Sequence, residues 1–555
     1  MEQVQPSRPP KAELVRVLGV PFLACVLGMD EQDVHAWSQG QHEELPDAEA
    51  DRTLTILGEL LASTPSYEDD PEGELRAQTL AANLGIYHPV FRATAVHALR
   101  TTAAGAQQVP VFEGTSAPEV LERLTVEAHP LFLLPALPLG PIGAGVHRHP
   151  LVDRFAQTVL EDPSFAQLRR ASRDPDRMDV HLWRSTLCRQ DFDLPLLAVH
   201  LISAGWRAAL LEHHRPDQRR HVRAVLGQYE SVRAALARDG DREGVRVPVL
   251  IAFTGVRLPS DTTLELGGGR LRPADERRDR HWVPGHLARR RQDPEAGAGT
   301  AGSGDDVVLE TDLPYRIKVT RDAGFDKPFV EGDTSRWPDH GRDAPAVGVL
   351  VEQVRLALLL ACDFTPDRPV MAVPTWEYWH DPLDHGPTLR SRTHTGRNAE
   401  PVVLDAYTAG RWAGYVRALV EHGGHIGVAV RRTLRAASER TDPEDLLVDA
   451  VIAWENLFGA DQGEVTLRVV TTMARLLRPD QQGREELRGE LSGIYALRSR
   501  IVHGAHVTDT PWETRRQSHR TLELTLEVLR VLLTTRTDLL ALASGGARSS
   551  KVMME

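Results

Sequence analysis

The chain is 555 residues long, with a formal net charge of -13 and a pI near 6.0. That length accommodates several domains with ample mass for their cores. The negative balance excludes a surface that coats nucleic acid broadly, so any nucleic-acid contact has to be a local patch.

Residues 1–63 read as a helix-turn-helix-like module. An apolar helix from Phe22 to Leu27 reaches Gly28, and a second helix anchored by Val34 and Trp37 stops at Gly40. A DNA reader places basic or amide side chains on its second helix. Here that helix offers Glu31, Gln32, Asp33, His35, Ser38 and Gln39 with no arginine or lysine, which argues for a docking or dimerisation module over DNA binding.

Residues 64–240 are mainly helical, with apolar-rich runs over 121–137 and 194–229 and no evident chemistry. The most apolar segment, Pro130 to Val146, is broken by Pro135, Pro138 and Pro141, so it reads as a loop or linker and not a membrane span. His147 and His149 lack an acid or cysteine at ligand spacing in the sequence after them, and a proline-flanked loop explains them better than a metal. Cys25, Cys188 and Cys362 are isolated and without CxxC spacing, so neither a disulfide scaffold nor a thiolate zinc site is expected. With no signal-peptide pattern at the N-terminus, this fits a cytoplasmic protein. Lysine occurs only at positions 11, 318, 327 and 551 while arginine is abundant, a skew that points to a GC-rich genome more than to a function.

Texture changes after Asp241, and 241–400 is expected to be a mixed α/β segment. Strands are expected at 245–253, 263–266, 307–310, 315–319 and 370–378, with a helix over 347–360 and a Gly/Ala-rich loop over 295–304. Gly267 to Gly269 lacks the lysine and Ser/Thr of a phosphate-binding loop, so it reads as a tight turn. His380 to Glu400 reads as a polar linker whose Arg390, Arg392, His394 and Arg397 form a local cationic cluster, continued by Arg484, Arg488, Arg515, Arg516 and Arg520.

Residues 401–545 have the pattern of a helical bundle, followed by a disordered tail over 546–555. Asp442-Pro443 opens a helix with acids in its first turn and an apolar stripe through Leu447, Val451, Trp454 and Phe458. Further helices are expected over 464–477, ending at Pro479, then over 484–503 and 512–542. The third carries Arg498 and His503, closed by Gly504. Histidine titrates near neutral pH and can take a proton from a ribose 2′-hydroxyl or give one to a leaving 5′-oxygen. Arginine presents a permanently charged fork to phosphate oxygens. Five helical steps of about 100° leave the two roughly 140° apart around the axis and about 7.5 Å along it, so one helix makes a poor complete site. Two such helices meeting across a two-fold axis would supply both residues twice. Arg500 with His506 is a competing pair, ranked lower because the glycine follows His503.

The order of these segments resembles the ApeA-like branch of the HEPN superfamily over about 407–542. The matching pieces are DPEDLLVDAVIAWENLF, EVTLRVVTTMARLL and IYALRSRIVHG, the last paralleling the family's RS-x-x-x-HG pattern. The resemblance implies a predominantly α protein with a dimeric helical bundle. It also implies a metal-independent endoribonuclease without cofactor, acting on RNA in bacterial antiphage or toxin systems. Carried over by position, Arg498 and His503 fall on the catalytic pair and Glu455 on the acidic position of the earlier helix. Glu455 equally suits a plain ion pair with Arg498. The segment before the bundle resembles the mixed α/β part that precedes such domains, and could sense a trigger protein or restrain the nuclease. The alternative is a non-catalytic dimerisation scaffold or a helix-turn-helix transcriptional regulator.

Overall fold

The computed structural model describes residues 11–41, 48–65, 74–103, 114–135, 145–168, 182–184, 191–193, 195–213, 215–237, 245–259, 262–279, 282, 306–315, 340–363, 369–380, 388–391, 401–460, 464–504 and 510–555. These are predominantly helical, around one six-stranded antiparallel sheet.

The sheet is built from β1 (Val245–Thr254), β2 (Leu264–Glu265), β3 (Gly269–Pro273), β4 (Val307–Tyr315), β5 (Val373–Trp379) and β6 (Thr388–Ser391), in the order β6-β5-β1-β4-β3-β2. Its alternating residues feed two different cores. Val247, Val249, Ile251 and Phe253 of β1, with Val307 and Leu309 of β4, pack into the core of the C-terminal helices. Leu250, Ala252, Val308, Trp376 and Tyr378 point the other way, into the core of the N-terminal helices. Period-two geometry makes this division unavoidable once both faces are covered. The sheet is therefore the middle layer between two helical layers.

On the N-terminal side, Val20–Leu27 ends at Gly28 in the left-handed region (φ 68), whose N–H bonds back to the Ala24 carbonyl. Glu31–Ser38 follows, with Val34 and Trp37 buried, so the helix–turn–helix order is present. Helix Ala117–Ala128 starts with a capping box in which the Glu119 carboxylate accepts from the Ser116 backbone N–H at 3.0 Å. His149 is buried. Its Nδ1 accepts from Leu151 N at 3.1 Å, capping helix Pro150–Glu161, and its Nε2 lies 3.2 Å from Glu127. The two polar ends of its ring are thus used for structure.

On the other side, the helix His340–Ala361 lies against the bundle, accepting from Trp412 Nε1 at the Val354 carbonyl (2.9 Å). The bundle comprises Ala406–His422, Gly427–Ser438, Pro443–Phe458, Val465–Leu477, Gln481–Val502 and Pro511–Thr534. The starts obey the cap chemistry. Asp442 accepts from Glu444 N, Asp480 from Gly483 N, and Thr510 with Glu513 forms a capping box. Asp449 is buried but held between Arg432 (2.5 Å) and Arg440 (2.7 Å), so its charge is compensated.

Several expectations are corrected. β4 is one strand to Tyr315, where two shorter ones were expected at 307–310 and 315–319; residues 316–319 lie outside the described ones. β3 was not anticipated, because Gly-Arg-Leu-Arg-Pro has a single apolar residue to bury. It pairs with β2 across the tight turn at Gly267 (φ 82). β6 falls inside the expected linker and sets Arg390 opposite Glu377 in register, while 392–400, with Arg392, His394 and Arg397, lie outside the described residues, as do loop 295–304, Cys188 and His506. The helix expected over 512–542 is Pro511–Thr534, with the short helix Thr537–Leu540 after it. The expected disordered tail is a helix, Gly545–Met554, with Arg548 and Val552 buried. The reason is specific: the Arg548 guanidinium donates to three backbone carbonyls, those of Leu457 (2.7 Å), Leu542 (2.8 Å) and Asn456 (2.9 Å). A short polar-looking segment is thereby docked by one side chain. No helix among the described residues is long and apolar enough to cross a membrane.

Candidate functional site

Glu455 sits near the end of helix Pro443–Phe458, where its carbonyl accepts from Gly459 N at 2.7 Å. Arg498 lies one turn before the end of helix Gln481–Val502, which packs alongside. The fold brings the two together: Arg498 Nη2 is 3.7 Å from the Glu455 carboxylate, with their side chains 28% and 30% exposed. At that exposure and length the pair contributes little to stability, of the order of 0–1 kcal/mol. Its value is positional. The Arg498 Nε is buried and has no hydrogen-bond partner among the described residues, so Glu455 leaves much of the guanidinium's donor capacity unused.

One residue behind the pair was given no role in the sequence reading, and it packs on the expected core residue Trp454. Tyr495, one turn before Arg498, is buried with its ring 6.2 Å from that of Trp454, the neighbour of Glu455. Trp454 Nε1 donates to Thr525 Oγ1 at 2.8 Å, tying this wall to helix Pro511–Thr534. Burial, reinforced by the Glu455 charge and opposed by Arg498, pushes the Tyr495 hydroxyl far above its ordinary pKa, so it stays protonated. The available signal was spacing: Tyr495 and Arg498 are three apart and share a helix face.

His503 is elsewhere on the helix end. It is the C-cap, exposed, its N–H bonding to the Ser499 carbonyl at 3.1 Å. Gly504 follows with φ 65 and open space around its missing Cβ, so conformation, not crowding, favours glycine there. Arg498 is therefore turned into the bundle and His503 out to solvent, as the angular spacing requires. Val502 (51% exposed) and Trp512 (71%) are large apolar side chains on either side of the short connection after His503. Arg500 is exposed and does not lack a partner.

The surrounding arginines are partly committed. Arg484 donates to the Arg478 and Pro479 carbonyls, capping the previous helix, and Arg520 pairs with Glu490 at 2.8 Å. Arg488, Arg515 and Arg516 remain as exposed cations. Among the described residues no cluster of three or more His, Cys, Asp or Glu is arranged to hold a metal ion. Comparison with protein-family models, with curated proteins and with solved structures finds no match for this chain.

Proposed function

We propose that the chain is an endoribonuclease of the HEPN type, cutting RNA by attack of a ribose 2′-hydroxyl without a metal cofactor. The observation that carries this reading is the helix end itself: a guanidinium oriented by Glu455 with unused donors, and a solvent-facing histidine five residues on. His503 takes the 2′-hydroxyl proton as the 2′-oxygen attacks phosphorus. The P–O5′ bond breaks, and a second, protonated histidine gives the leaving oxygen its proton. Arg498 stabilises the charge on the non-bridging oxygens. The products are a 2′,3′-cyclic phosphate and a 5′-hydroxyl end.

Arg498 and His503 diverge on one helix, so the working site is composite and formed between two copies meeting at the bundle. The exposed Val502, next to His503 in the chain, and Trp512, in the first turn of the following helix, suit such a contact. A cytoplasmic role in bacterial antiphage defence or as a toxin, with the N-terminal layer sensing a trigger, belongs to the same reading. The decisive experiment compares wild type and His503→Ala on RNA in excess EDTA. Cleavage by the wild type and its loss in the variant supports the proposal, and equal cleavage by both defeats it.

A further inference from the structure

A cleft of about 1270 Å³ opens on the N-terminal side, between helices Val20–Leu27, Glu31–Ser38 and Leu196–Glu212 and the start of Gln218–Ala237. We propose that it binds a mononucleotide, with the phosphate at Arg100 and the base among glutamine amides over an apolar floor.

Charge selects the phosphate end. Of the three arginines lining the cleft, Arg215 is neutralised by Glu31 at 2.9 Å. Arg278 belongs to a network in which three guanidiniums share two carboxylates: Arg270, Arg272 and Arg278 contact Glu310, and Arg272 also contacts Asp279. Its buried Nε has no partner among the described residues. Arg100 is half-buried and donates to the neutral Gln218 Oε1 at 2.5 Å. Among the described residues it has no carboxylate within ion-pair distance. The neighbouring His129 and His221, 3.2 Å apart and buried, are held neutral by that burial and supply no competing charge. Asp217 also lines the cleft, but its carboxylate accepts from the Arg220 backbone N–H at 2.8 Å and lies 3.9 Å from the Arg220 guanidinium. Among the described residues Arg100 is thus left as the cation without a carboxylate partner, a setting that favours an anion.

The rest of the lining suits a flat heteroaromatic body. Trp206 and Phe132, with ring centroids 5.4 Å apart, form the floor. Gln32 projects from the Glu31–Ser38 helix, Gln39 is its C-cap and Gln41 lies just beyond. Gln39 contacts His35 Nε2 at 2.8 Å and accepts from Gln41 Nε2 at 3.2 Å, so a base edge would be met by Gln32 and by the amide valences those two contacts leave over. The second helix of the helix-turn-helix-like module therefore presents its polar side to this cleft.

The site lies apart from Glu455 and Arg498 and its test reads binding, so it stands or falls independently of the ribonuclease reading. Isothermal titration of the full chain with AMP, GMP, adenosine and inorganic phosphate is the experiment. AMP or GMP should bind with a Kd on the order of 10 µM, and adenosine and phosphate at least about tenfold more weakly. Arg100→Gln should weaken the nucleotide at least about tenfold, and Ala36→Trp, which fills the cleft from another wall, should abolish binding. Either variant suffices if the other misfolds by circular dichroism. No binding of either nucleotide at about 1 mM, phosphate alone binding as tightly as nucleotide, or unchanged affinity in a folded variant overturns the proposal.

Discussion

Arg548 Nη2 donates to the backbone carbonyl of Asn456 at 2.9 Å, so the last helix of the chain holds the turn that carries Glu455. Gly545 reinforces the contact: a Cβ there would lie 2.6 Å from the Gly459 carbonyl oxygen, forcing the two segments apart. The geometry of the candidate site thus depends on residues more than forty positions downstream of Arg498.

Replacing Arg548 by alanine should destabilise the protein by about 3 kcal/mol, since a buried guanidinium is lost and one buried and two partly buried carbonyls lose their donor at once. Thermal or urea unfolding measures this. If cleavage is confirmed, the variant should also lose activity below its melting temperature. A variant as stable as wild type would mean that the helix is held by its apolar contacts alone.

His503→Ala should leave stability within about 0.5 kcal/mol of wild type, because the side chain is exposed, while lowering cleavage by about 10²–10⁴. The two readouts together separate a chemical role from a structural one. Arg498→Ala should lower cleavage similarly, and Glu455→Gln less, because the 3.7 Å contact to the guanidinium is an ion pair too long to be a hydrogen bond, and its charge is the part the amide removes.

Mixing Arg498→Ala with His503→Ala chains tests the composite site. A mixed dimer holds one Arg498 and one His503, one histidine short of the pair the proposed step uses, so its activity should differ from that of either parent while staying below the wild type. Analytical ultracentrifugation should find the active species to be a dimer. A fully active monomer would remove the composite site, leaving the residue roles to the single variants.

Acid should destabilise the fold well above the carboxylate range. Burial lowers His221 to about 4, and burial aided by the Arg207 charge lowers His380 to about 3. Both hydrogen-bond while neutral, His221 to the Ile202 carbonyl at 3.0 Å and His380 Nδ1 to the Tyr378 hydroxyl at 2.9 Å. The unfolded chain binds these protons near pH 6.5 and the folded chain resists them. Stability is therefore level above the ordinary value and falls as pH drops from there toward the folded values, by about 1.4 kcal/mol per pH unit for each histidine. Urea midpoints between about pH 7 and pH 5 should decline accordingly. A flat profile over that interval would contradict the buried placement of both rings.

What could be read in the sequence was what is local. Asp442-Pro443 and Pro479 mark helix boundaries because cap and proline chemistry act within a turn, and the apolar stripe through Leu447, Val451, Trp454 and Phe458 is indeed buried. The 498–503 spacing gave the divergence of the two side chains. Contact between Glu455 and Arg498 needs helix packing and was only one of two readings. The run Val247-Pro-Val-Leu-Ile-Ala-Phe253 is apolar on both alternations, the mark of a strand covered on both sides, yet nothing local says what covers it. β3 and the last helix were missed for the same reason: each is held by a distant partner, the β4 ladder in one case and the carbonyls under Arg548 in the other.

The two-faced sheet limits how this protein can be taken apart. A fragment beginning near residue 401 would leave Trp412, Val416 and Leu419 without part of their cover, since they share a core with Val351, Val354 and the β1 face. Such a piece should be sticky and poorly soluble, and cutting the chain ahead of the bundle should inactivate it rather than set it loose. Among the described residues, a signal from the N-terminal layer to the bundle would cross the sheet, where Leu250, Ala252, Val308, Trp376 and Tyr378 alternate with residues of the bundle core.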